Sequence, residues 1–322
     1  MNRLTDLKHH EKNRAAPISG ALTRFRWLRG GRQPSIDGKL TSMKIEPNLA
    51  EPYLNLMKKC LTRYIFPETL RPLRRPSHPK RVLLWAIYPS IAAILEKNGL
   101  RICRHVKFEP EVRAEGLDWP PGAETMIGLR QLDNIQFCIE EVLREEVPGD
   151  FIEAGVWRGG ACIFMRAVLK AYGDNSRQIW VADSFEGLPK PDGRYKQDEN
   201  DLHWTMSHEL AVSLDHVKSN FSKYGLLDER IHFLKGWFKD TLPNAPIERL
   251  ALLRLDGDMY SSTMDSLLNL YPKLSVGGYV IIDDYGGIDA CRKAVDEFRA
   301  SSRIEAPIIK IDRRGVYWKK SD

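Results

Sequence analysis

The sequence predicts an α/β fold: a mixed sheet, mostly parallel, with helices on both faces and an antiparallel hairpin at its C-terminal end. Three observations carry this reading. Apolar runs of strand length alternate with stretches of helical periodicity from Asp150 to Ala300. The runs are near-continuously apolar, as expected of strands covered on both faces by crossover helices. At the end of the chain, "APIIKID" and "VYWKK" flank the short turn "RRG", which reads as a hairpin.

The elements follow in order. Asp150–Ala154 reads as a strand, 155–160 as a glycine-bearing turn and 161–172 as an amphipathic helix. "IWVADSFEGLP" ends a second strand at Asp183, and Ile231–Lys235 reads as a third. Leu250–Leu255 is a fourth, interrupted only by Arg254. Residues 262–274 carry Leu267, Leu268, Leu270 and Leu274 at helical spacing, 278–282 is a fifth strand, and 289–300 is a helix. A seven-stranded sheet of this kind, parallel with a C-terminal hairpin, is the layout of Rossmann-like class I methyltransferases.

Length and composition set the frame. A chain of 322 residues holds one large domain with extensions or two small ones. The net charge of +6 is uneven: residues 1–80 hold 17 Lys/Arg against 6 Asp/Glu, and the remainder is net acidic. These basic residues form no compact cluster with interleaved aromatics, so residues 1–80 read as a partly disordered, basic N-terminal extension rather than a nucleic-acid-binding arm. Within it, 67–79 ("PETLRPLRRPSHP") reads as a linker. Residues 81–148 read as a helical segment preceding the main domain at 149–322. The run "VLLWAIYPSIAAIL" is too short to span a bilayer, and no secretory h-region is read at the N-terminus. Five scattered cysteines without CxxC spacing imply reduced thiols and a cytoplasmic location, with no zinc or disulfide signal.

Two features carry chemistry. Asp256 and Asp258 follow one strand, and Asp283 and Asp284 follow another. If those strands are neighbours, both pairs converge at the carboxyl edge of the sheet, where ligands bind in open α/β folds. Crowded carboxylates repel unless a positive charge sits among them, and an all-oxygen set suits Mg²⁺, Ca²⁺ or Mn²⁺. Helix capping and turn closure are the competing roles for these aspartates. The second feature is Glu153-x-Gly155-x-x-x-Gly159, a turn through which the backbone can approach a ligand closely. About thirty residues on, Asp183, with Ser184 beside it, stands where an acid accepts hydrogen bonds from a ribose diol. Gly236 and Trp237, after the third strand, are placed to flank an adenine, with ordinary core packing the competing role for Trp237. Together they predict an adenosine-type ligand.

The motifs "DFIEAGVWRGGA", "VADSFEGLPKPD", "LKGWFKDTLP", "LRLDGDMYSST" and "GGYVIIDDYGG" resemble the macrocin O-methyltransferase family, which methylates sugar hydroxyls on macrolides and aminocoumarins. The resemblance covers about residues 115–320. It implies S-adenosylmethionine as methyl donor, an essential Mg²⁺, a glycosylated small-molecule acceptor from antibiotic biosynthesis or a polysaccharide, and self-association. It further implies Asp256, Asp283 and Asp284 as metal ligands and Asp258 as general base, with Glu153, Gly155 and Asp183 contacting the cofactor. Thr125 and Met126 match the segment that closes over its methionine end, and 191–204 matches a substrate lid. His203 and His208 in that stretch are alternative bases.

A metal-dependent glycosyltransferase using Asp256-Gly257-Asp258 is the competing enzyme class. It accounts for neither Glu153-x-Gly155 nor Asp183 nor Asp283-Asp284. An aspartyl-phosphate phosphatase would need its DxD after the first strand, and here it follows the fourth.

Overall fold

The computed structural model describes residues 47–73, 82–199 and 201–321. Residues 1–46 of the loosely ordered extension expected over 1–80, and residues 74–79 of its linker, lie outside the described residues. What is described begins with α1 (Pro47–Leu61), β1 (Leu70–Pro72), α2 (Val82–Lys97), β2 (Cys103–His105), α3 (Pro110–Ala114) and α4 (Leu129–Arg144). Then come β3 (Asp150–Ala154), α5 (Gly160–Ala171), β4 (Ile179–Asp183), α6 (Ser207–Leu210), α7 (Leu214–Lys223) and β5 (Ile231–Lys235). The chain ends with α8 (Phe238–Thr241), β6 (Leu250–Leu255), α9 (Tyr260–Leu270), β7 (Leu274–Ile282), α10 (Asp289–Ser301), β8 (Ile309–Lys310) and β9 (Val316–Lys319).

The seven-stranded sheet runs β5-β4-β3-β6-β7-β9-β8. The first five strands are parallel, while β9 is antiparallel to both β7 and β8. The last strand in sequence therefore inserts between β7 and β8. It is fixed there by Trp318, which is fully buried and stands opposite Val280. β3 and β6 are neighbours, as are β6 and β7, so the carboxyl ends of all three meet.

Alternation along the strands divides the core between the two faces. Phe151 and Val181 face a layer built on α1, α4, α5 and α7, with Leu132, Ile135, Phe164 and Phe221 at its centre. Ile152, Leu253 and Leu255 face the other layer, where Leu267, Leu270, Val295 and Phe298 come from α9 and α10.

Two expectations from sequence are corrected here. The core begins before residue 81: Ala50, Leu54, Met57 and Leu61 of α1 are buried against the α5 side of the sheet. Their spacing puts them on one helical face, but four positions within a polar, basic stretch give a weak periodic signal. Each of Leu54 and Leu61, fully buried, contributes about 1.5–3 kcal/mol of apolar transfer. The 67–79 stretch is likewise more than a linker, because Leu70–Pro72 pairs antiparallel with Cys103–His105. The segment 81–148 thus carries a strand as well as helices. All five cysteines are free, and no helix among the described residues is long and apolar enough to cross a membrane.

Candidate active site

The cleft forms where the strand ends meet, and glycine is what lets them meet. Gly155 follows β3 with φ +92°, and a Cβ there would lie 1.7 Å from the carbonyl oxygen of Asp256. Any side chain at this position would push the first turn off the end of β6. Gly159, also at positive φ, would bring a Cβ against Val217 and Phe221; it lets α5 start close to α7 rather than lining the cleft.

Asp183 ends β4 and braces this turn. Its Oδ2 accepts from the Val156 amide at 2.8 Å and its Oδ1 from the Phe185 amide at 2.7 Å. Burial pushes its carboxyl up, and these amides pull against that shift. Ser184 Oγ adds a longer donation to Oδ1 at 3.5 Å. Met126, Gly155, Trp157, Asp183, Ser184, Gly236, Trp237, Asp256 and Asp258 line a single cleft that opens in part to solvent. Thr125, buried, sits behind Met126 against the start of α5, where a Cβ on Gly160 would lie 2.6 Å from its own.

The sequence-derived residues Glu153, Thr125, Gly159, Asp283 and Asp284 are not part of the cleft wall. Glu153 is buried in the sheet, where Arg254 and the Cys162 thiol donate to its carboxylate. Burial raises its pKa, opposed by Arg254.

Asp256, Asp258 and Asp284 each present a carboxylate oxygen, and these oxygens all lie within 4.8 Å of one another. Burial pushes all three pKa values upward. Asp283 adds to the effect at Asp256, and Asp258 adds to it at Asp284. Asp258, raised next by Asp256, reaches about 7. Asp284 is 2 % exposed and its Oδ2 is buried without a hydrogen-bond partner. A crowded all-oxygen group with an orphaned buried oxygen fits a hard divalent cation.

Asp283 stands apart from that group. Its Oδ1 accepts from Arg254 Nη2 at 2.8 Å. Arg254, 1 % exposed, also donates through Nη1 to Glu153 and, at 3.1 Å, to Asp256 Oδ2. Burial works against its charge, but Glu153, Asp283 and Asp256 outweigh that and hold it protonated. Arg254 interrupts an otherwise apolar strand and was not among the residues expected at the site. The signal was the interruption itself: a charge at the centre of a buried strand requires carboxylates on its neighbours, and Glu153 lies opposite it in the register of β3 and β6.

Neither histidine of the 191–204 region or its flank belongs to the cleft wall. His203 pairs with Asp201 at 2.6 Å, and the His208 side chain is 79 % exposed.

Residues 50–320 match the macrocin O-methyltransferase family. The chain belongs to that family. The methyltransferase is 54% identical over 220 residues to the demethyldecarbamoylnovobiocin O-methyltransferase of Streptomyces niveus, covering 68% of this chain and 84% of that one. It is 48% identical over 269 residues to the 8-demethyl-8-(2,3-dimethoxy-alpha-L-rhamnosyl)-tetracenomycin-C 4'-O-methyltransferase of Streptomyces olivaceus, with 83% and 92% covered. Among solved structures it is similar to the O-methyltransferase NovP at TM-score 0.70 and 45% identity, covering 85% of this chain and all of that one. The fold is that of a class I methyltransferase, and the chain is an S-adenosylmethionine-dependent O-methyltransferase. The glycosyltransferase alternative finds no support: its DxD follows β6 of a methyltransferase sheet and shares the cleft with Gly155 and Asp183.

Proposed function

We propose that this methyltransferase carries the methyl group of S-adenosylmethionine to a sugar hydroxyl of a glycosylated small molecule, with Mg²⁺ held at the aspartate corner. The observation that carries the reading is that Gly155, Asp183, Gly236 and Trp237 line the same cleft as Asp256 and Asp258. The relatives' acceptors, a novobiocin intermediate and a rhamnosyl tetracenomycin, support a glycosylated acceptor.

Asp183 receives the ribose hydroxyls while its backbone hydrogen bonds keep the glycine turn in place. Trp237 and Gly236, at the end of β5, bound the adenine. Thr125 and Met126, lying over the start of α5, close the methionine end. Asp256 and Asp284 offer oxygens to the cation, whereas Asp283, the third ligand expected from sequence, is held apart by Arg254. Bound there, Mg²⁺ supplies positive charge that stabilises the acceptor oxygen as its proton leaves. Asp258, raised to about 7, takes that proton. Arg254 orients three carboxylates at once, so the corner is built before any ligand arrives.

Incubation with methyl-labelled S-adenosylmethionine and a panel of deoxysugar glycosides tests this. Label is expected in a glycoside, with transfer abolished by EDTA and restored by Mg²⁺, while calorimetry shows cofactor binding retained in EDTA. Full turnover in EDTA would remove the metal from the proposal and return the aspartates to structural roles.

A further inference from the structure

We infer that Asp198 is a positioning residue for the reaction, coupling the stretch that covers the cleft to the turn that holds Asp258. The chemical part of this inference rests on the function proposed above; its structural part does not.

α9 starts two residues after Asp258, and its N-cap residue, Met259, supplies no side-chain acceptor. The first amides of a helix have no partner inside it and need one from outside. Here it comes from far away in sequence. Asp198 Oδ1 accepts from the Tyr260 amide and Oδ2 from the Ser261 amide, each at 3.0 Å. A carboxylate at a helix N-terminus also meets the positive end of the helix dipole. Asp198 is 3 % exposed although it sits in a short 3₁₀ turn, Lys196–Asp198, of the connection between β4 and α7.

That connection covers the cleft, because Leu188, Pro189, Lys190, Asp192 and Arg194 line it. It is fastened to α9 at further points. Both arms of the Arg194 fork donate to Asp265, at 2.9 and 2.8 Å, and the Tyr195 and Tyr260 rings lie 5.1 Å apart.

On the other side of the cap the chain has little slack. Asp258 adopts φ +54°, a left-handed conformation that a residue with a side chain enters only when its surroundings hold it there. The Met259 amide donates to the Gly257 carbonyl at 2.6 Å, so Asp256 to Tyr260 is one tight turn. A shift of the first turn of α9 is therefore passed to Asp258. Covering the cleft and aligning the base become one event.

Hydrogen exchange read by mass spectrometry on the full chain tests the coupling, with Asp198→Ala and Asp198→Asn. In D198A, exchange over 256–262 and over 188–199 is expected to rise together. Turnover should fall about ten- to a hundredfold, as for a misplaced catalytic group, while KM for S-adenosylmethionine stays within about twofold. D198N keeps one acceptor oxygen and should recover part of both losses; where D198A does not fold, D198N alone should show raised exchange over 256–262. Parent-level exchange over 256–262 in the folded variants overturns the inference, as does a loss of cofactor affinity with turnover unchanged. A parent protein that transfers no methyl group would count against the proposed function, while exchange would still decide the coupling.

Discussion

Arg254 Nη2 donates to Asp283 Oδ1 at 2.8 Å in the interior of the sheet, where neither residue is more than 5 % exposed. This one ion pair separates two aspartates that are adjacent in sequence. Asp284 turns toward Asp256 and Asp258, and Asp283 turns to the guanidinium.

Removing the guanidinium should be costly. Arg254→Met leaves Glu153, Asp256 and Asp283 without their shared cation in a buried setting, and breaking such a pair from one side costs about 3–5 kcal/mol. Denaturant unfolding should show that loss. A variant of parental stability would mean that the three carboxylates take up protons or water at little cost.

Asp258→Asn keeps the shape of the side chain and removes the proton acceptor. Turnover should drop by ~10²–10⁴, the usual worth of a positioned base, with S-adenosylmethionine binding unchanged by calorimetry. If the variant instead loses Mg²⁺ affinity and regains its rate in excess Mg²⁺, Asp258 is a ligand and the base lies elsewhere.

Asp183→Ala removes the acceptor assigned to the ribose and also releases the amides of Val156 and Phe185. Cofactor affinity should weaken by roughly 1–3 kcal/mol. Unchanged affinity in a folded variant would sink the ribose assignment.

Truncation should separate two parts of the N-terminal region. Deleting residues 1–42 should leave the melting temperature near that of the parent, since the described core begins at Ala50. Deleting 1–62 strips Leu54, Met57 and Leu61 from the face of α5 and should destabilise the protein by several kcal/mol. Equal melting temperatures for the two truncations would show that α1 contributes little.

The sequence was enough to place β3, β5 and β6 to the residue, the end of β4 at Asp183, the C-terminal hairpin and the aspartates at strand ends. It could do so because these are local patterns: an apolar run between turn signals reports its own burial. The convergence of Gly155, Asp183, Asp256 and Asp258 was legible for a related reason, since parallel strands bring every carboxyl end to one edge. Which carboxylates face each other is set by the folded sheet. Asp283 and Asp284 have the same chemistry and adjacent positions, but opposite sides of one strand end lead to different partners, and Arg254 selects between them. Asp198 was illegible for the same kind of reason: its partners are backbone amides 62 and 63 residues away, and no side-chain pattern records them. β9 entering the sheet between β7 and β8, and α1 covering α5, likewise depend on surfaces that exist only once the chain has closed on itself.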